Sequence, residues 1–484
     1  MRKSKLWLLL ILIIPCALLF SACSLDLLSS TEKEKDKNYV VSIEKSTSTE
    51  TTDTYLVTYL DNSTSLITIE NGEDGEDGLD GQNLTLEELK KYCEEKGISL
   101  DDFIAEHISI EYTKQENTIS SASLKALKST VSVWCEFPST SGTARSGGAG
   151  IIYKMEEEYT YIITNQHVVY YSYSTTTNKI ATKITVFTYG SQERVGVSTD
   201  EHGNKTYVYG YGAIECSYVG GVINYDIAVL KCKTADIKKF QPSACAVTVA
   251  NGYSVADTAI AIGNPEGEGT SVTTGIVSKY SEDLTITGAD DVTVIEPRVI
   301  RIDTAINSGN SGGGVFNIEG NLIGIVHAKI TDTEIENIAY ALPIDNVTKV
   351  ADNLIYYYKQ TNSPSSVKKL MLGITYTPSN QRSEFIETED STKVKLYDDC
   401  VIVEVSEDGL AHKMGMQVDD IVLNATIIRN GVSSNYTFSQ AHEFSDLLLT
   451  IRTGDELLLK VKRGDVIESL TSQTITDSML TVIE

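Results

Sequence analysis

The chain of 484 residues is short of positive charge: 40 Lys and Arg stand against 67 Asp and Glu, a formal net charge of −27. No basic run exists beyond the opening "MRKSK". Phosphates would find nothing to neutralise them, which argues against a nucleic-acid partner. The eight cysteines contain no C-x-x-C pair. Without local ligand spacing, no zinc or other metal site is expected. Histidine is scarce as well. Any enzyme using it as a base must choose among His107, His167, His202, His327, His412 and His442.

Long apolar runs are also missing, with one exception near the start. "LWLLLILIIPCALLF" is too short for a spanning helix. With its basic flank and the small residues that follow, it reads as a secretory signal over residues 1–22. "FSAC" is similar to a bacterial lipobox, so cleavage before Cys23 and a lipid on its sulfur are expected. That puts the chain outside the cytoplasm, held to a membrane; a plain cleaved signal is the alternative. Cys93, Cys135, Cys216, Cys232, Cys245 and Cys400 are left over. An exported chain can pair some of these, and their spacing selects no particular bridge.

Residues 23–119 read as a tether carrying small elements. Residues 24–52 are Ser/Thr/Lys/Glu-rich and predict disorder. Residues 54–72 alternate apolar and polar around "DNST", a hairpin pattern. Glycines at 72, 75, 78 and 81 repeat with the collagen period but without proline, so this is a spacer. Thr85 and Ser99 each begin a short predicted helix.

From about 128 to 350 the texture changes to short apolar runs separated by Gly- and Asn-bearing turns, among them "VSVWCEF", "YTYIITN", "DIAVLKC", "DTAIAIG" and "NLIGIVHA". Many short strands at near-regular spacing indicate an all-β barrel or sandwich. An amphipathic helix over 344–360 closes a domain spanning 120–360, "TNSPSS" links onward, and 366–484 forms a smaller α/β unit.

Three segments carry chemistry. His167 ends the apolar run of "YIITNQHVV", at the edge of a rigid element. Asp226 directly precedes the buried-looking "IAVL", where a carboxylate needs a hydrogen-bonding partner. Ser311 lies in "INSGNSGGGVFN", where glycine is too dense for a regular element and suits a tight turn with exposed backbone N–H groups. Histidine, aspartate and serine in that chain order match the triad of chymotrypsin-type hydrolases.

"TNQHVV", "DIAVLK", "AIGNP", "TTGIVS", "DTAINSGNSGG" and "AYALP", six motifs in order, resemble the HtrA/Deg family of trypsin-like serine proteases over roughly 128–350. Residues 366–484 resemble the PDZ domain that family usually carries. The resemblance implies a mainly β fold, a chymotrypsin/trypsin-like double β-barrel followed by a PDZ-like α/β domain. It implies a serine endopeptidase that needs no cofactor, with Ser311 as nucleophile, His167 as base and Asp226 orienting the imidazole. Gly309, Asn310 and Ser311 would frame the oxyanion hole, with the N–H groups of Gly309 and Ser311 as donors.

By the same resemblance Ala305, Ile306, Val326, His327 and Ala328 wall the specificity pocket. Ala305 stands where cleavers of basic sites have an acid, so an aliphatic preference is expected. His327 and Lys329 depart from the family pattern. Either they favour an acidic residue before the cut, or His327 packs beside the triad and Lys329 is solvated. Ser308 and Gly314 replace two prolines common in the family, and the tyrosine-rich stretches 170–179 and 191–212 form a longer insertion than usual. In the C-terminal unit Leu372, Gly373 and Ile374 match the loop that captures a peptide's terminal carboxylate. The partners so implied are unfolded polypeptides and protein C-terminal tails, and the family's common assembly is a homotrimer. A non-cleaving binding or chaperone-like protein and a glutamyl endopeptidase are the alternatives.

Overall fold

The computed structural model describes residues 40–48, 52–59, 64–70, 110–111, 118–140, 142–191, 194–199, 205–264, 269–329, 338–387 and 392–484. The signal, Cys23, the glycine spacer and the two helices expected after Thr85 and Ser99 lie outside them. Two compact units emerge, residues 1–116 and 117–484.

In the first unit, strands β1 (Val40–Ser48), β2 (Thr52–Tyr59), β3 (Thr64–Glu70) and β4 (Ile110–Glu111) form one antiparallel sheet. The expected hairpin is β2–β3, with Thr52 opposite Glu70. The expectation of disorder through residue 52 is corrected by β1. "VVSIEKSTS" begins with β-branched residues, and pairing along β2 satisfies its backbone.

The second unit opens with a helix, Thr118–Leu127, and then builds two barrels. The first closes from β5 (Thr130–Ser139), β6 (Gly142–Met155), β7 (Tyr159–Thr164), β8 (Lys183–Thr188), β11 (Ile214–Val222) and β12 (Ile227–Lys233). A side hairpin, β9 (Arg194–Thr199) with β10 (Lys205–Tyr209), carries part of the tyrosine-rich insertion. Tyr209 donates to Glu136 on β5 at 2.9 Å. The second barrel closes from β13 (Thr258–Gly263), β14 (Ser271–Asp283), β17 (Arg298–Ile302), β18 (Gly314–Phe316), β19 (Leu322–Lys329) and β20 (Ala339–Pro343). The short β15 (Ile286–Thr287) and β16 (Val294–Ile295) form a separate pair. Two closed six-stranded antiparallel barrels are the chymotrypsin-like fold.

Each barrel fills its interior with β-branched and leucine side chains, Val133, Ile162 and Leu230 in one, Ile300, Val315 and Ile323 in the other. A third cluster joins the barrels beneath the helix Ile344–Thr361, whose Val347, Val350, Ala351 and Leu354 are fully buried. The "TNSPSS" stretch after this helix is docked against the first barrel. Ser365 donates its N–H to Val219 at 2.9 Å and its hydroxyl to Leu354 at 2.7 Å. A β-carbon on Gly220 would collide with the Ser365 carbonyl, so only glycine permits that approach.

The C-terminal unit begins with β21 (Val367–Leu370), paired to the last strand β28 (Leu480–Ile483). Its main sheet holds β22 (Ile374–Glu387), β23 (Thr392–Val405), β24 (Ile421–Arg429), β25 (Val432–Thr437), β26 (Glu456–Arg463) and β27 (Val466–Thr471). The helices Leu410–Met414 and Ala441–Leu447 pack around it. "SEFIETEDSTKVKLYDD" looks in sequence like an insertion or long loop, but its residues 383–387 and 392–399 lie in β22 and β23, with Arg382 opposite Tyr397 and Phe385 opposite Val394. Alternation of charged and apolar residues suits a two-stranded ribbon exposed on both faces.

Candidate active site

Strand pairing brings two of the three chemical residues together. Thr164 at the end of β7 faces Ala228 near the start of β12, so the chain leaves one strand beside the point where it enters the other. His167, on the single turn Gln166–Val169, follows Thr164 by three residues, and Asp226 precedes Ala228 by two. The ring Nδ1 of His167 lies 2.7 Å from Asp226 Oδ2, and its backbone N–H donates to Oδ1 at 2.9 Å. Asp226 itself has φ of 48°, a left-handed conformation that costs a non-glycine residue energy. The Asp226 carbonyl accepts from Asn165 Nδ2 at 2.9 Å and from the Gln166 N–H at 3.2 Å, which holds the turn in place.

The electrostatics follow from burial. Desolvation of Asp226 alone would favour its neutral form, but the His167 cation and the bonds from both histidines outweigh it and hold the carboxyl far below the usual range. Burial likewise opposes charge on His167, yet the facing carboxylate wins and raises the imidazole above its ordinary value.

Ser311 comes from the second barrel, in the turn between β17 and β18. Its carbonyl accepts from Ala149 on β6 at 2.8 Å, which stitches the turn to the first barrel. Glycine is needed here for two reasons. Gly309 and Gly312 have φ of 94° and 80°. A β-carbon on Gly312 would also strike the Ala149 carbonyl and the Thr164 hydroxyl. Asn310 is buried, its N–H bonded to Asn307 O at 3.1 Å, while among the described residues no acceptor takes the N–H of Gly309 or Ser311. Both are thus free to receive an anion. Among the described residues, no hydrogen bond joins the Ser311 hydroxyl to the His167 ring.

The residues expected in the specificity pocket take different positions. Ala305 is exposed, whereas Ile306 and Val326 are packed in the second barrel's core. The side chains of Ala328 and Lys329 lie outside those described. His327 turns its ring to the triad, with Nδ1 2.8 Å from Asp226 Oδ2 and the side chain 3% exposed. In the C-terminal unit, Gly373 has φ of 74°; the Leu372 and Gly373 carbonyls are taken by Ala411 and Ser406, and Ile374 begins β22.

His167, Asp226 and His327 are close enough together to hold a metal ion, as are Asp345, His442 and Asp446. In the first group both Nδ1 atoms are already at hydrogen-bond distance from one oxygen, and in the second the Arg298 guanidinium occupies the space between the carboxylates, 2.6 and 3.1 Å away. A cation would have to displace these bonds. Cys135, Cys216, Cys232 and Cys400 are buried free thiols and Cys245 an exposed one.

Of the two readings of His327, its ring lies beside the triad as the packing alternative has it; the bond to Asp226 itself was not expected, nor were Asn165 and Thr164, which brace the strand end. Their signal was present in "TNQH", where two polar residues continue an apolar run into the barrel.

Two closed barrels with a histidine–aspartate pair on one and a glycine-framed serine on the other define a chymotrypsin-like hydrolase architecture. Residues 148–325 match the family model described as a trypsin-like peptidase domain. Serine protease Do-like HtrB of Bacillus subtilis is 28% identical over 68% of this chain and 63% of its own length, and Serine protease Do-like HtrA of the same organism is 28% identical over 67% and 65%. A solved serine endoprotease from Yersinia pestis aligns at 24% identity and a TM-score of 0.40, covering 74% of this chain and 97% of that one. Residues 148–325 are thus similar to a trypsin-like peptidase domain, and the chain is similar to the Do-like HtrA serine proteases, spanning a little under two thirds of those curated relatives.

Proposed function

We propose that the protein is a serine endopeptidase that cuts unfolded or damaged exported polypeptides through an acyl-enzyme at Ser311. The observation that carries this reading is the Nδ1–Oδ2 contact of 2.7 Å between His167 and Asp226, beside a serine whose turn is stitched to the same barrel. With its proton held on Nδ1, His167 offers the Nε2 lone pair as general base. Ser311 Oγ attacks the peptide carbonyl as His167 takes its proton, and the N–H groups of Gly309 and Ser311 receive the oxyanion. The imidazolium then protonates the leaving amine, and water releases the acyl group by the same route. In the C-terminal unit, the groove between β22 and the helix Ala441–Leu447 takes C-terminal tails as an added strand. A lipid on Cys23 holds the chain to the outer side of the membrane.

The second reading, a binding protein that does not cut, is favoured by the missing Ser311–His167 bond. In free enzymes such bonds are often long and tighten only around substrate. Labelling by a fluorophosphonate and cleavage of unfolded casein separate the two readings. Wild type should label and cut, while Ser311→Ala does neither. Equal, negligible cleavage by both, with no label on Ser311, would overturn the protease reading.

A further inference from the structure

We propose that His327 is a positioning residue for the triad, spacing the nucleophile on one barrel from the base on the other. This rests on the protease reading above. Three contacts meet on two consecutive residues of β19. The Val326 carbonyl accepts from the Gly312 N–H at 3.1 Å, and the Val326 N–H donates to Gly313 O at 2.8 Å, so both residues following Ser311 are registered on this strand. The next residue, His327, reaches across to the first barrel and places Nδ1 2.8 Å from Asp226 Oδ2, the oxygen that also receives His167 Nδ1. The two rings stand 6.3 Å apart with an interplanar angle of 59°. Neither ring stacks on the other, and both point at one carboxylate oxygen.

The tautomer of His327 follows from its surroundings. Asp226 lacks a proton, so the hydrogen in this bond belongs to His327 Nδ1. Nε2 of His327 is buried without a partner, and a second proton there would be an unpaired donor. His327 thus acts as a single donor, clamping Oδ2 between β19 and the turn of His167. Among the described residues, the ionisable groups in contact at this site are His167, Asp226 and His327. Nearby, Tyr218 donates to Gln166 Oε1 and Tyr225 accepts from Lys369.

Loss of the clamp should have two effects. The carboxylate gains freedom to rotate, so the plateau rate falls. Its oxygen, relieved of one donor, gives more to the His167 imidazolium, which raises the apparent pKa of the base. The acid limb of the pH profile then moves to higher pH.

The test is the rate constant for fluorophosphonate labelling of Ser311 against pH, in the full chain, for His327→Ala, His327→Asn and His327→Gln, with thermal melting of each. Asn places its amide donor near the site of Nδ1, whereas Gln places it near Nε2. Ala should label about tenfold or more slowly, with its acid midpoint raised. Asn should stay within about threefold of wild type, and Gln should behave like Ala. If Ala fails to melt cooperatively, the Asn-against-Gln contrast decides alone. Wild-type rate and midpoint in Ala, or rescue by Gln as good as by Asn, would overturn the proposal while leaving the protease reading intact. A wild-type protein that never labels sinks that reading instead, and this one with it.

Discussion

His167 and His442 each sit beside a buried aspartate, yet their environments push them in opposite directions. Among the described residues, the charge that acts on His167 is the Asp226 carboxylate, which raises the ring's affinity for a proton against the opposition of burial. Around His442, at the junction of the second barrel and the C-terminal unit, a guanidinium has been added. Arg298 binds Asp345 at 2.6 Å and Asp446 at 3.1 Å, and Asn346 donates to Asp446 at 2.7 Å. Those carboxylates are already compensated, so burial and then the Arg298 charge drive His442 down to about 4. A buried acid makes its neighbouring histidine a base only while no stronger cation claims the acid first.

The comparison can be broken most severely at the triad. Asp226→Asn keeps the shape and removes the charge, and kcat on casein should fall about 10⁴-fold. A fall below tenfold would show that Asp226 does not govern His167. At the junction, Arg298→Met leaves the buried Asp446 carboxylate, and the partly exposed Asp345 beside it, without their cation and should cost about 3 kcal/mol in denaturant unfolding. It should also raise the proton affinity of His442, visible by NMR titration; an unchanged His442 would refute the account given for it.

The pH dependence sharpens the contrast. His167 must be neutral to act as base, and its folded pKa is raised, so the acid limb of activity should lie above the ordinary histidine value of about 6.5. His442 has the opposite sign. Its folded pKa of about 4 lies below the unfolded value of about 6.5, so the unfolded chain takes up the proton first. Its contribution to stability is full above about pH 6.5 and is lost as the pH falls toward 4. His442→Asn should flatten that slope in melting experiments, and an unaltered slope would assign it elsewhere. The smallest effect belongs to Lys368→Ala. Its partner Asp477 is 69% exposed, and the change should stay within about 0.5 kcal/mol.

Much of this was legible before any coordinates. The order of His167, Asp226 and Ser311, with glycines around the serine, carries the fold because each motif sits where a barrel strand ends. What was not legible depends on side-chain direction. His327 and Val326 are adjacent on β19, and the sequence alone does not say that one enters the core while the other crosses to Asp226. The left-handed turn at Asp226 was equally hidden, since nothing marks a non-glycine residue for that conformation. The outer hairpin beyond Tyr376 looks in sequence like an insertion or long loop, and its charge pattern fits a two-sided exposed ribbon as well as a coil.

The glycine at 220 has a mechanical corollary. Because Ser365 is sewn onto the first barrel there, the five residues between the long helix and β21 have no slack to pay out. Any swing of the C-terminal sheet must either unzip that seam or carry the barrel along, so bulk at position 220 should loosen the tail end of the molecule like a drawn stitch.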